Sequence, residues 1–245
     1  MQDLNGLRAL VMGGSSGIGR ATSRLLAARG ADVLVNGRDP EKAEAVVSEL
    51  HDGCEALAAD ATDPADVAAL AERTGRVDIL VLAAGGTSGG GPFADLDLDE
   101  LDRAGAAKFG AHMRVLQALL PVLAEDASIT FVSAGSARSA LSGTAGLAAI
   151  NGALEAVVGP LAAELAPRRV NAVSPGVIRT PWWDALGEEL RDATWNQFAA
   201  ALPVGRIGEP EEVAEAIALL ATDRFITGAV LPVDGGGSLA MGARL

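Results

Sequence analysis

Between Leu7 and Asn36 the chain reads as an apolar run, a glycine-rich turn, a helical stretch and a second apolar run, a succession that few folds accommodate. Leu7 to Met12 has the character of a strand and Gly13-Gly14-Ser15-Ser16-Gly17-Ile18-Gly19 that of a turn. The helical stretch that follows runs to Arg29, is closed by Gly30, and leads into a second strand from Asp32 to Asn36. Further strand-like runs lie at Glu55–Ala59, Ile79–Ala83, Ser128–Ser133, Val170–Ser174 and Ala229–Val233, each preceded by a helical pattern. Among the helices, Asp99–Leu123 and Leu147–Ala166 are the long ones, and Asp39-Pro40 opens another, with Asp39 as N-cap and Pro40 at N1. Strands alternating with helices imply a parallel sheet covered on both faces by right-handed crossovers, hence a doubly wound α/β fold.

Length agrees with a single unit. A doubly wound sheet reaches about 250 residues as one domain, and no linker, charge block or internal repeat divides these 245. Lys and Arg number 19 against 32 acidic residues, so the net charge of −13 repels a phosphate backbone and excludes nucleic acid as a main partner. Cys54 is the only cysteine, which rules out an intrachain disulfide, and no metal-ligand set is legible. Met1-Gln2-Asp3 lacks a basic segment followed by an apolar one, and no uninterrupted apolar run reaches the ~20 residues that cross a bilayer. A cytoplasmic protein with no membrane partner is the expectation.

Gly13, Gly17 and Gly19 let the backbone turn tightly and approach a pyrophosphate, which then rests on the N–H groups of the following helix, in a cradle that includes Ser15, Ser16 and Ile18. The GxxxGxG spacing occurs with Asp60 in Ala59-Asp60-Ala61, Pro175-Gly176 in VNAVSPGVIRT, and Val233-Asp234-Gly235-Gly236. In these motifs the chain, from Leu4 to Ser238, resembles the short-chain dehydrogenases/reductases. The resemblance implies one Rossmann-type domain over residues 1–245 and a nicotinamide dinucleotide. Asp60 and Ala61 are implied to hold the adenine, and Ala84 and Gly85 to run under the ribose. Pro175, Gly176, Ile178 and Thr180 are implied to meet the carboxamide, Thr180 alternatively serving as a cap before Pro181. Where NAD-selective relatives carry an acid, this chain has Gly37-Arg38. A guanidinium suits a phosphate, so the expected cofactor is NADP, with a solvated loop charge as the alternative for Arg38.

Family members pass a proton through a tyrosine whose pKa is lowered by a lysine one helical turn later, with a serine and an asparagine assisting. This chain contains no tyrosine. Aligned on Leu161-Ala162-Ala163-Glu164-Leu165, the tyrosine position holds Leu147, the lysine position Asn151 and the serine position Ala134, flanked by Ser133 and Ser136. Aligned on Gln117 to Pro121, the asparagine position holds Lys108. Lys108 and Asn151 thus read as an exchange that keeps an ammonium near the nicotinamide ribose, or else as an outward-facing lysine and a locally packed asparagine. The candidate catalytic residues are Lys108, Asn151 and Ser133. His112, one turn after Lys108, is a proton carrier or a core residue. Hydroxyls at Ser139, Ser142 and Thr144 are too weakly acidic to replace the tyrosine, and the loss of general acid catalysis predicts little turnover of ordinary ketones and alcohols.

All three tryptophans, Trp182, Trp183 and Trp195, fall with Phe198 in the 181–202 segment, which the resemblance makes a substrate lid. They line a broad apolar pocket or form a subunit contact. The resemblance implies a homo-oligomer, dimer or tetramer, paired through the two long helices, whose Ala/Gly-rich faces permit close approach. Three functions stay open: an NADP-dependent oxidoreductase of an apolar carbonyl or alcohol that lacks the usual active-site residues, a non-redox isomerase or cyclase on the same fold, and a catalytically silent cofactor-binding or partner subunit.

Overall fold

In the computed structural model, which describes residues 3–86 and 88–240, seven runs pair into one parallel sheet of order β3-β2-β1-β4-β5-β6-β7. The strands are β1 (Arg8–Met12), β2 (Asp32–Gly37), β3 (Glu55–Ala58), β4 (Val77–Leu82), β5 (Leu123–Val132), β6 (Arg169–Pro175) and β7 (Val230–Val233). The helices are α1 (Gly17–Ala28), α2 (Pro40–Val47), α3 (Pro64–Thr74), α4 (Leu98–Gly105), α5 (Ala111–Leu119), α6 (Ala145–Ala156), α7 (Val158–Glu164), α8 (Glu188–Ala201), α9 (Pro210–Thr222) and α10 (Gly237–Ala240). The doubly wound expectation holds.

Beyond Arg8 and Asp78 near their starts, β1 and β4 are apolar and buried because both faces are covered. Alternate residues divide between two cores. Leu10, Met12, Leu80, Leu82, Ile129 and Phe131 face Val115 and Leu119 of α5 and Leu154 of α6. Ala9, Val11, Val33, Val35, Ile79 and Val81 face Leu26 of α1 and Val213 and Ile217 of α9. Asp39 caps α2 as expected, its Oδ1 accepting from the Lys42 N–H at 3.2 Å.

The long helix expected over Asp99–Leu123 is divided. α4 and α5 are joined by a π-turn, Ala106–Gly110, and Leu123 opens β5 instead of closing a helix. The helical pattern of Val122-Leu123-Ala124 is overridden from a distance: Arg168 donates to the carbonyls of Leu120, Leu123 and Ala124 at 3.3, 3.0 and 3.0 Å, taking up the end of α5. Strand β4 likewise begins at Val77, two residues earlier than its apolar run suggests, across a register shift between Val77 and Ile79. The expected Leu147–Ala166 helix is α6 followed by α7. Residues Ala145–Glu164 together are long and apolar enough to cross a membrane by length and composition, although the run is not uninterrupted. This stretch nevertheless carries Glu155, which pairs with Arg138, and Asn151, which is buried.

Arg169 repeats the device of Arg168 on the opposite face, donating to the carbonyls of Leu220 and Ala221 at the end of α9 at 2.6 and 2.8 Å. Hydrogen bonds from a charged donor contribute about 1.5–3 kcal/mol each. Arg168→Met should therefore lower the unfolding free energy by at least about 1 kcal/mol in urea titration, with the helical content of α5 reduced. An unchanged midpoint would show that the carbonyls of Leu120, Leu123 and Ala124 are served equally well by water.

Candidate active site

Strand order reverses between β1, which also pairs with β2, and β4, so the carboxyl ends of β1 and β4 open a crevice at the switch point. Gly13 has φ of 79°, and a Cβ there would stand 2.8 Å from the amide nitrogen of Ala84. A Cβ on Gly19 would stand 2.0 Å from the carbonyl oxygen of Gly13. Both positions must be bare for the turn to nest against β4, and Ser16 leaves the start of α1 without a side-chain cap. The first-turn amides are thus available to an anion. Thr180 packs on the same turn, its Cβ 3.4 Å from where a Gly17 Cβ would be, and its hydroxyl caps nothing. A Gly176 Cβ would stand 2.8 Å from the Asp234 Cα, which ties the Pro175-Gly176 and Asp234-Gly235 motifs together in space. Ile178 is buried, and its carbonyl accepts from the Trp183 indole at 2.9 Å.

At the other end of the crevice Ser15 touches the end of β2, its Oγ 2.6 Å from a Gly37 Cβ position. Exposed Arg38 follows. Asp39 is committed to its cap and to an ion pair with Lys42, so the nearby charge on Arg38 acts on Asp60. The Thr62 N–H and hydroxyl donate to Asp60 Oδ1 at 2.8 and 2.7 Å, and with Arg38 they hold this carboxyl below its usual range. Ala61 is buried beside it. Asn36, which the sequence does not mark, fixes the strand ends here by donating to the Leu57 and Ala59 carbonyls at 2.9 and 3.3 Å.

The π-turn between α4 and α5 sets Lys108 in the crevice. Its Nζ donates to Asn151 Oδ1 at 2.7 Å and to the Ser133 carbonyl at 3.4 Å, and lies 4.0 Å from a Gly85 Cβ position. Asn151 Nδ2 in turn donates to the Leu147 carbonyl at 2.9 Å and to Ser136 Oγ at 3.1 Å. The pair read from the sequence as an exchange is in direct contact. Ser133 joins this cluster through its backbone only: its hydroxyl is buried between Glu155, at 2.8 Å, and the Val173 carbonyl, at 3.1 Å. Ser136 is the hydroxyl within the cluster, which sequence spacing from Leu147 did not single out. Leu147 is half-buried against Gly90, 3.5 Å from its Cβ position, and Ala134 precedes the turn Gly135–Ala137. Burial lowers the Lys108 pKa from 10.5 to about 8.

His112 is a core residue, not a proton carrier at physiological pH. Burial first, and the Lys108 ammonium second, push its pKa down to about 3. Its ring stacks on Phe131 at 6.1 Å, Nε2–H donates to the Ala84 carbonyl at 2.8 Å, and Nδ1 has no partner. In the 181–202 segment the aromatics pack on one another and on arginines. Trp182 meets Trp183 edge-on at 4.7 Å, and Arg179 and Arg191 lie over the Trp195 ring at 4.4 and 4.8 Å. The Trp182 indole donates to the Gly86 carbonyl at 2.9 Å and so bridges to the loop after β4. A cavity of about 410 Å³ beside that loop is lined by Gly86, Ser88, Glu100, Arg103, Ala104 and Ala107, with none of the tryptophans.

Because the folded protein holds His112 neutral down to pH about 3 while the unfolded chain protonates it near 6.5, its contribution to stability is complete above pH 6.5 and is lost as pH falls toward 3. His112→Phe should remove that part of the acid slope, so the gap between wild type and variant narrows from pH 7 to pH 4. Parallel stability curves would contradict a buried, neutral His112.

Residues 13–238 match a family model described as enoyl-(acyl carrier protein) reductase. A cis-4-hydroxycyclohexanecarboxylate dehydrogenase of Sinomonas cyclohexanicum is 40% identical over 244 residues, 93% of this chain and 95% of its own. A solved short-chain dehydrogenase/reductase family protein superposes with a TM-score of 0.88 at 35% identity, over 97% of this chain and 100% of its own. A small-chain dehydrogenase solved in complex with NADPH superposes with a TM-score of 0.84 at 30% identity, over 95% of this chain and 99% of its own. With a family model matching most of the chain and relatives covered almost end to end, the chain belongs to the short-chain dehydrogenases/reductases, oxidoreductases that bind NAD(P).

Proposed function

We propose that the protein is an NADP(H)-dependent oxidoreductase of an apolar carbonyl or alcohol that works without the tyrosine and lysine its family uses. The observation that carries the cofactor reading is Arg38, exposed at the end of β2 with its only acidic neighbour in sequence, Asp39, committed elsewhere. A planar guanidinium there suits the 2′-phosphate of NADP and offers no acceptor to the O–H groups of a ribose diol. The bare positions at Gly13 and Gly19 fit a pyrophosphate, held by the turn residues Ser15, Ser16, Gly17 and Ile18. Asp60 and Ala61 receive the adenine, Ala84 and Gly85 the ribose, and Pro175, Gly176, Ile178 and Thr180 the nicotinamide end. When bound, the dinucleotide supplies a hydride at its nicotinamide ring.

The NADPH-bound relative and the alicyclic alcohol named for the Sinomonas enzyme support this reading and a cyclic, largely apolar substrate. The Pro181–Leu202 segment is the lid, with Trp182 reaching Gly86 across the crevice. Leu147, in the tyrosine position, adds apolar surface. A single buried Cys54 fits a reducing, cytoplasmic setting.

Calorimetric titration should show NADPH binding at least tenfold tighter than NADH, about 1.4 kcal/mol, and Arg38→Ala should level the two. Equal affinities for wild type, or a preference that survives the substitution, would sink the reading. Helices α6 and α7 present an open face, with nothing within 4 Å of a Cβ at Gly152 or Gly159, and this face suits pairing with a second copy. Light scattering should report a dimer or tetramer; a 24.7 kDa monomer across a wide concentration range would rule assembly out.

A further inference from the structure

We propose that Lys108 is the residue that gives a proton to the substrate oxygen during reduction and takes it back during oxidation. This rests on the oxidoreductase reading above and supplies the group for which the sequence offered no replacement. The chain has only two lysines, Lys42 and Lys108; apart from the two histidines, every other basic side chain is arginine. Lys42 is exposed and pairs with Asp39. Apart from Lys42, positive charge at the surface is arginine's, whereas Lys108 is placed in the crevice. An arginine cannot replace it there as an acid, because a guanidinium does not release its proton at any pH a protein survives.

The geometry has the required parts. Two acceptors, Asn151 Oδ1 and the Ser133 carbonyl, hold Nζ beside Gly85, where the cofactor ribose is expected to run, and an ammonium has a third N–H to give. Asn151 can face Lys108 only with its oxygen, since Nδ2 already donates to the Leu147 carbonyl and Ser136. Asn151 is thus a positioning residue, and a neutral one.

Charges on the surrounding elements do not compensate Lys108. On α6, Glu155 is taken by Arg138, from the turn after β5, and by Ser133. On α5, His112 is neutral. On α4, Arg103 and Glu100 line the neighbouring cavity, and no hydrogen bond or ion pair joins either to Lys108. An ammonium with neutral partners in a partly desolvated crevice is a stronger acid than a free lysine, and burial brings it to about 8, near the pH at which proton transfer is most efficient.

The step balances. The hydride from NADPH forms the new C–H bond at the carbonyl carbon, the C=O π pair moves onto oxygen, and that oxygen forms an O–H bond as the Nζ–H bond breaks; water then returns a proton to the amine. The carbonyl is reduced and the nicotinamide oxidised. Alcohol oxidation runs the same sequence backward and needs Lys108 neutral.

Two measurements test the assignment. Lys42→Arg leaves Lys108 as the sole lysine, and its 13Cε resonance in lysine-labelled protein should titrate near pH 8 without any cofactor, against an ordinary value of 10.5. For NADPH and a panel of cyclic ketones, the wild-type reduction rate should fall as pH rises through about 8, and the reverse oxidation should rise through the same range. Lys108→Met and Lys108→Arg, each assayed at NADPH concentrations that calorimetry shows to be saturating, should lose roughly 10²–10⁴ in kcat together with the pH inflection. If Lys108 merely braces α5 against Asn151, Lys108→Arg keeps both hydrogen bonds and the activity. That result, a titration near 10.5, or NADPH binding without turnover of any ketone overturns the assignment. Failure of the wild type to bind NADPH overturns the oxidoreductase reading itself.

Discussion

Two strands and a helix meet at the first turn with no room for a side chain: a methyl at Gly19 would stand 2.0 Å from the Gly13 carbonyl, and one at Gly13 would stand 2.8 Å from the Ala84 nitrogen. That contact sets how closely α1 and β4 approach β1, and the rest of the crevice is arranged around it. Because β1 pairs residue for residue with β2 on one side and β4 on the other, Met12 lies level with Asn36 and Leu82. The chain therefore leaves the sheet at one height on all three strands. Ser15 meets Gly37 and Gly13 meets Ala84 as a consequence, and the loop after β6 brings Thr180 onto Gly17 from the far side.

Electrostatics in the crevice follow from what surrounds Lys108. A carboxylate at the position of Asn151 would neutralise the ammonium and raise its pKa; an amide accepts its hydrogen bond without adding charge. Glu155 lies one turn further along α6, but Arg138 and Ser133 occupy it. The same burial that makes Lys108 more acidic keeps His112 neutral, so two basic groups one helical turn apart do not both carry charge. The π-turn is the local irregularity that permits this, since it widens the helix where Lys108 projects.

Around this site the sheet is closed by long-range hydrogen bonds rather than by local capping. Adjacent residues Arg168 and Arg169, at the start of β6, reach to opposite faces and take the terminal carbonyls of α5 and α9. Each reaches a helix end more than 40 residues away in the chain. Surface ion pairs such as Arg224 with Asp126, highly exposed on both sides, add little by comparison.

Much of this was legible in the residues themselves. Strand and helix periodicity, the glycine spacing and the Asp39-Pro40 start depend on neighbours within a few positions, so local chemistry determines them, and the doubly wound sheet follows from their order. The absence of tyrosine is read directly from the residues, and the resemblance to the family motifs brought Lys108 and Asn151 together as candidates before their contact was seen. What the tertiary structure decided depends on distance through space. The end of α5 is set by Arg168, from beyond two further helices. His112 is neutral because the core around Phe131 removes it from water and the Lys108 ammonium lies one turn away, and Ser133 turns inward because Glu155 and Val173 lie behind it. Lys108 meets Asn151 only because a π-turn and the α6 face converge 43 residues apart. Sequence names the groups; their burial and their partners, which set their acidity, come from the fold.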